Sequence, residues 1–204
     1  MRYFTIFLII LISCKPPTNQ AAAEQSSLVE LASTPYITAV NADTIFNNKG
    51  FTVELQSTLE EEHENELNSI LRIKKGEEIV FADSIFSSTQ ELKFIDINSD
   101  GEHDILVQNI SDVRSNWTYN LYLVNSQTNS FTKVPAFSKI KNPRLNNGLI
   151  ESYVISGTNY YQFYELTDEP EVFQHDILLY DDHSDSSYQV YLNKVDSLMK
   201  NSDI

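Results

Sequence analysis

A single cysteine, Cys14, rules out any disulfide within the chain and leaves no second thiol for redox work. Glycine is also scarce, five in 204 residues, and none lies in a Gly-x-Ser-x-Gly elbow or a phosphate-cradling loop. There is no His-Glu-x-x-His pair, and His63, His103, His175 and His183 stand apart in polar contexts expected of surface histidines. Cations are few: 14 Lys and Arg face 29 Asp and Glu, for a net charge of −15. That balance disfavours nucleic acid and anionic lipid headgroups as partners and favours a basic protein. The one long apolar run, residues 4–12, is too short to cross a bilayer as a helix. What these gaps exclude is most of the familiar catalytic machinery, although carboxylate pairs brought together by folding leave no spacing to read.

The most informative segment present is Asp96-Ile97-Asn98-Ser99-Asp100-Gly101-Glu102-His103-Asp104. Ca²⁺ takes six to eight oxygens, and a tight turn can aim the side chains of Asp96, Asn98, Asp100 and Asp104 at one point with the Glu102 carbonyl. Gly101 sits where such a turn needs a backbone that a side chain opposes. An EF-hand would continue to a bidentate Glu at its twelfth position, which here is Val107. Instead residues 92–95 and 105–108 flank the loop as short apolar, β-branched runs, so an ion would pin a corner between strands in a structural role. The bland reading is an Asp/Asn/Gly turn that binds nothing.

Residues 1–13 read as an export signal, with Arg2 ahead of the apolar run. Leu11-Ile12-Ser13-Cys14 is similar to the lipobox of bacterial lipoproteins, whose cysteine is acylated, so Cys14 is the expected lipid anchor. Residues 14–35 then form a polar spacer with no apolar period. The expected place is the outer membrane, facing the periplasm or the cell surface. Weak extracellular calcium sites suit that address.

The domain, residues 36–204, is expected to be all-β, with antiparallel sheets in a propeller-like or sandwich-like arrangement. Aromatic and β-branched runs at 51–55, 71–73, 78–81, 119–124, 149–155 and 160–164 alternate with turn formers at 75–76, 125–129, 146–148 and 168–170. Roughly ten strands are expected. Residues 188–200 place Tyr191, Val195 and Leu198 at helical spacing, predicting a short C-terminal helix. The acidic run 60–66 reads as solvated, as does the group Asp181, Asp182, His183 and Asp185. Ser156-Gly157-Thr158-Asn159-Tyr160 lies between two strand-like runs and predicts a tight hairpin loop ending in a rigid aromatic.

Residues 94–107 resemble the Asp-rich calcium loops of integrin-like FG-GAP repeats, though only one such loop is present. More widely, residues 78–180 resemble a family of small bacterial calcium-binding lipoproteins. There the loop is followed by a tyrosine-rich strand (here 116–124), a proline-containing connection (131–143) and a last group of strands (149–164). One branch of that family is an immunity protein against a secreted lysozyme-like peptidoglycan hydrolase, with a fold reminiscent of a β-propeller and of periplasmic lysozyme inhibitors. Those inhibitors insert a Ser-Gly-x-x-Tyr loop into the glycosidase cleft. The resemblance implies that Ser156, Gly157 and Tyr160 form that loop, with Ser156 and Tyr160 meeting the enzyme's carboxylates. It also implies a binding protein that turns nothing over. Three other readings stand beside it: an adhesin or carbohydrate-binding module using Trp117 and exposed tyrosines, an enzyme acting on cell-wall sugars, and an envelope scaffold.

Overall fold

Alternation written into the sequence decides which way each strand of the first sheet faces. In the strand Phe51–Ser57 (β2), Phe51, Val53 and Leu55 are buried, and in Ser69–Lys75 (β3) Ser69, Leu71 and Ile73 are buried. Antiparallel pairing sets Val53 opposite Ile73 and Leu55 opposite Leu71, so these side chains form one apolar face. The other face carries Glu54, Gln56, Arg72 and Lys74, with Lys74 Nζ 2.8 Å from Glu54 Oε1. Ile37–Asn41 (β1) and Glu78–Ile85 (β4) complete a four-stranded antiparallel meander. Gly76, at φ +61°, makes the two-residue turn into β4.

The computed structural model describes residues 37–42, 46, 49–58, 67–146, 148–167 and 170–202, all within the compact unit Ser33–Ile204. Cys14, the leader 1–13, the spacer 14–35 and the acidic run 60–66 with His63 lie outside the described residues.

A second meander follows, formed by Leu92–Ile95 (β5), Asp104–Ser111 (β6), Trp117–Asn125 (β7) and Ser130–Val134 (β8). Asp104, Ile105, Leu106, Val107 and Gln108 are all buried, because this sheet is covered on both faces. Ile105, Val107, Tyr122, Val124 and Phe131 share a core with the first sheet. Leu106, Tyr119, Leu121 and Val134 share another with Ile150 and Tyr164 of the third sheet. A 3-10 turn, Pro135–Lys139, inserts Phe137 into that second core.

The third meander contains Pro143–Asn146 (β9), Leu149–Val154 (β10), Asn159–Leu166 (β11) and Val172–Asp181 (β12). Its outer face is covered by the helix Asp185–Ser202 (α1), whose Val195 and Leu198 bury against Leu149 and Phe163. Ser184 starts the helix by accepting the amide of Ser187 on its hydroxyl. The architecture is therefore three blade-like antiparallel sheets stacked as layers with one helix outside. It is all-β with a C-terminal helix, as the patterning predicts. Twelve strands are described rather than roughly ten, because β8 and β9 are short and carry few apolar residues. The helix begins three residues earlier than its apolar spacing starts, since its first turn is Asp and Ser.

Asp83 bridges the first two sheets. It accepts Tyr122 Oη at 2.7 Å and pairs with Lys133 Nζ at 2.7 Å. Burial first, and then the Asp83 carboxylate, push the Tyr122 hydroxyl far above its usual range, so it stays a donor. Each large apolar side chain fully buried between the layers contributes about 1.5–3 kcal/mol, and Leu121→Ala in the middle sheet is the kind of change that costs about 2–5 kcal/mol.

Candidate functional site

The two chemistry-bearing loops lie at opposite ends of β6. At its start, pairing of Ile95 with Asp104 and Phe94 with Ile105 closes the β5–β6 hairpin around residues 96–103. Ser99 and Gly101 both adopt left-handed backbone, φ +60° and +86°. This curls the segment so that its side-chain oxygens meet its own backbone amides. Asp96 accepts the amides of Asp100 (3.1 Å) and Gly101 (3.0 Å), and Asn98 Oδ1 accepts the same Asp100 amide at 3.2 Å. Asp100 takes the Glu102 amide at 2.8 Å on one oxygen and the Asn98 side-chain amide at 2.8 Å on the other.

Asp104 is fully buried and receives the amides of Ile97 at 3.0 Å and Val124 at 2.9 Å. Burial pushes its carboxyl up to about 7, the two amides oppose that, and the charges of Asp100 and Asp96 push it further up. The Glu102 carboxylate turns away to Ser126, whose amide and hydroxyl both lie at 2.6 Å. Glu102 can therefore offer only its carbonyl to an ion in the loop. Among the described residues, no three carboxylate, imidazole or thiol groups converge as a ready metal cluster. The set here is of mixed character: side-chain oxygens of Asp96, Asn98, Asp100 and Asp104 with one carbonyl. Such all-oxygen chemistry fits a hard cation.

At the far end of β6, the hairpin loop between β10 and β11 is held by residues distant in sequence. Asn116, 2% exposed, exchanges two hydrogen bonds with Ile155: its Oδ1 accepts the Ile155 amide at 2.8 Å and its Nδ2 donates to the Ile155 carbonyl at 2.9 Å. The same Nδ2 donates to Asp112, and Asn142 Nδ2 donates to Asn116 Oδ1 at 3.0 Å and to the Tyr153 carbonyl at 2.9 Å. Asn142 also closes a reciprocal pair with the backbone of Trp117, at 2.8 and 2.7 Å. The Asn116 side-chain amide, with Lys141 Nζ 3.0 Å away, holds the Asp112 carboxyl well below the usual carboxylate range.

Within the loop itself, the Ser156 amide donates to Asn159 Oδ1 at 3.0 Å and the Ser156 hydroxyl donates to the Thr158 carbonyl. Asn159 Nδ2 donates to the Tyr153 hydroxyl at 3.0 Å. Gly157 and Thr158 are exposed, whereas Ser156 and Tyr160 are half-buried, the Tyr160 ring lying edge-on to Tyr180 at 6.4 Å. Ser156, Gly157 and Tyr160 are thus brought to one edge, where the fully exposed Val113 and the 36% exposed Trp117 neighbour the Asn116 clamp.

No known family profile matches the chain, and no curated protein is found similar to it. Among solved structures, a Xanthomonas protein described as related to a type IV secretion system is similar, with 16% identity and a TM-score of 0.49, over 74% of this chain and 90% of that one.

Two sequence expectations need correction. His175 is not a surface histidine: it is half-buried, with Nε2 3.0 Å from Glu165 Oε1, because β12 packs beside β11 there. His103 and His183 are exposed. Asp181 is likewise not a solvated loop residue. It ends β12 and accepts the Tyr153 hydroxyl at 3.0 Å. Sequence reasoning missed Asn116 and Asn142, since an asparagine that clamps a distant loop has no local spacing to betray it.

Proposed function

We propose that the protein is a lipid-anchored, calcium-stabilised envelope protein that inhibits a lysozyme-like peptidoglycan hydrolase by presenting loop 156–160 to its cleft. The observation that carries this reading is the Asn116 and Asn142 clamp, which ties the strand leading into the loop, at Tyr153 and Ile155, to the body of the domain. A loop already ordered loses little entropy on docking, so its contacts go into affinity. Ser156 would offer a hydroxyl to a catalytic carboxyl and Tyr160 an aromatic face. The net charge of −15 would speed capture of a basic hydrolase, an effect that salt weakens. The protein acts by occupying a site and not by turnover, and Cys14 tethers it to the outer membrane.

Calcium would be held by Asp96, Asn98, Asp100 and Asp104 with the Glu102 carbonyl. When bound it supplies positive charge among carboxylates that otherwise repel. The residues around it do the rest: Ser126 keeps the Glu102 carboxylate aside, and the amides of Ile97 and Val124 fix Asp104. This loop is at the opposite end of β6 from Ser156, which supports a structural role for the ion.

The test is inhibition of a panel of purified lysozymes and peptidoglycan hydrolases in calcium buffer, beside a Ser156→Ala/Tyr160→Ala variant. Inhibition by the parent that the variant loses supports the reading; a parent that inhibits nothing in a broad panel overturns it. A second reading has its own observation. Thr89, Glu91, Lys93, Trp117 and Tyr119 line an open hollow of ≈ 400 Å³, a shape and polarity that suit a sugar ring stacked on Trp117. Saturable binding of peptidoglycan fragments that Trp117→Ala abolishes, without hydrolase inhibition, would favour a carbohydrate-binding module.

A further inference from the structure

Beside loop 156–160, where β12 turns into α1, four tyrosines meet two carboxylates. Tyr161, Tyr180, Tyr188 and Tyr191, with Asp181 and Asp185, line a hollow of ≈ 340 Å³. The rings form a continuous row from the third sheet onto the helix. Tyr153 and Tyr161 lie 4.7 Å apart, Tyr161 and Tyr191 4.6 Å, and Tyr191 and Tyr188 6.1 Å at an interplanar angle of 19°. Ring faces are negative, and those of the 61% exposed Tyr180 and the 57% exposed Tyr188 are the ones open to a ligand.

The surrounding charge has the same sign. Glu151, buried beneath, accepts the Tyr191 hydroxyl at 2.8 Å, and Asp182 is pulled down to about 2, chiefly by the side chain of Ser184. Burial and then the Asp181 charge push the Tyr161 hydroxyl up, which places that ring in a negative field. No Lys or Arg is among the described residues lining the hollow. His183 stands on the rim with Nδ1 3.4 Å from Asp181 Oδ2, and the guanidinium of Arg144 acts on Tyr153 and Tyr161 from outside the hollow.

We infer that this tyrosine-walled, acid-rimmed hollow receives an arginine side chain of a basic partner protein. A guanidinium is planar and weakly hydrated, stacks on aromatic faces and pairs with carboxylates, so it uses both halves of the lining. A neutral sugar would use the rings but leave the negative field unanswered. The hollow joins the 156–160 edge directly: Asn159 bonds to the Tyr153 hydroxyl, which bonds to Asp181, and Tyr160 packs on Tyr180. Only the identity of the partner rests on the inhibitor reading; the choice of a guanidinium rests on the hollow itself.

The experiment is an NMR titration of the purified full chain, with no hydrolase present. The probes are N-acetyl-arginine methylamide, its uncharged isostere N-acetyl-citrulline methylamide, and diacetylchitobiose. The arginine probe is expected to shift the resonances of Tyr161, Tyr180, Tyr188 and Tyr191 saturably, and the citrulline probe to bind about fivefold more weakly. Tyr188 is 57% exposed and Asp185 is exposed, so the variant Tyr188→Ala/Asp185→Asn is expected to fold. It should weaken arginine binding about fivefold, while Tyr188→Phe keeps it. Equal binding of citrulline, preference for the saccharide, shifts scattered without saturation, or an unaffected double variant would each overturn the inference. Because the readout needs no enzyme, hydrolase inhibition can fail while arginine binding holds, and the reverse.

Discussion

The two ends of β6 solve the same problem in opposite ways. The loop entering the strand, residues 96–103, is fastened mainly to itself: Asp96, Asn98 and Asp100 accept amides two to five residues on. The segment leaving it, residues 112–116, is fastened to parts of the chain 25 to 39 residues away, through Asn116 to Ile155 and through Asn142 to Trp117. A self-fastened loop spends its oxygens on its own backbone, yet it stays exposed to solvent. A cross-fastened loop is buried and polar, and its geometry depends on three segments arriving together.

The contrast breaks most visibly at Asn116. Asn116 is 2% exposed, and Asn116→Ala leaves the amide and carbonyl of Ile155 without their side-chain partner. A loss of about 3 kcal/mol in urea denaturation is expected, with faster amide exchange in residues 155–159. A cost below about 1 kcal/mol would show that packing, and not the clamp, holds the loop. At the other end, calcium at about a hundredfold excess over its dissociation constant should stabilise the parent by about 2.7 kcal/mol, read as a rise in thermal midpoint. Asp100→Ala should remove that rise, and a chelator should bring parent and variant close together. A parent indifferent to calcium would make residues 96–104 a turn and nothing more.

The smallest effect concerns pH. The folded-state pKa of Asp112 lies below its unfolded value, so its contribution is fully present above the ordinary carboxylate range and is lost as pH falls through the depressed value. Neutral to mildly acidic solution should therefore leave the clamp unchanged, with loosening only under strong acid. A carboxyl NMR titration that places Asp112 at an ordinary midpoint would count against its bonds to Asn116 and Lys141.

That contrast also divides what the sequence disclosed from what it hid. Phe51, Val53 and Leu55 alternate with polar residues, and β2 is where that alternation places it. Asp96, Asn98, Asp100 and Asp104 fall within nine residues around Gly101, so the turn they form between β5 and β6 could be read directly from the chain. The Tyr191, Val195 and Leu198 stripe likewise pointed to α1. Asn116 and Asn142 carried no such signal, because their partners are set by how β7, β9 and β10 come together. Pro143 begins a strand that has few apolar residues and relies on pairing with β10, so propensity gave it little weight. His175 and Asp181 were hidden in the same way: each owes its cover to a neighbouring strand.

Each sheet is built from four consecutive strands, so pairing partners are near in sequence and form early as the chain is synthesised. The layers cannot finish in any order, however. When β4 has emerged, Phe51, Val53, Leu55, Leu71 and Ile73 form an uncovered apolar face, and only the strands to Val134 supply its lid. Those strands in turn expose Leu106 and Leu121 until the third sheet arrives. In chain order, each layer thus seals the one before it like a course of masonry, and α1 covers the third.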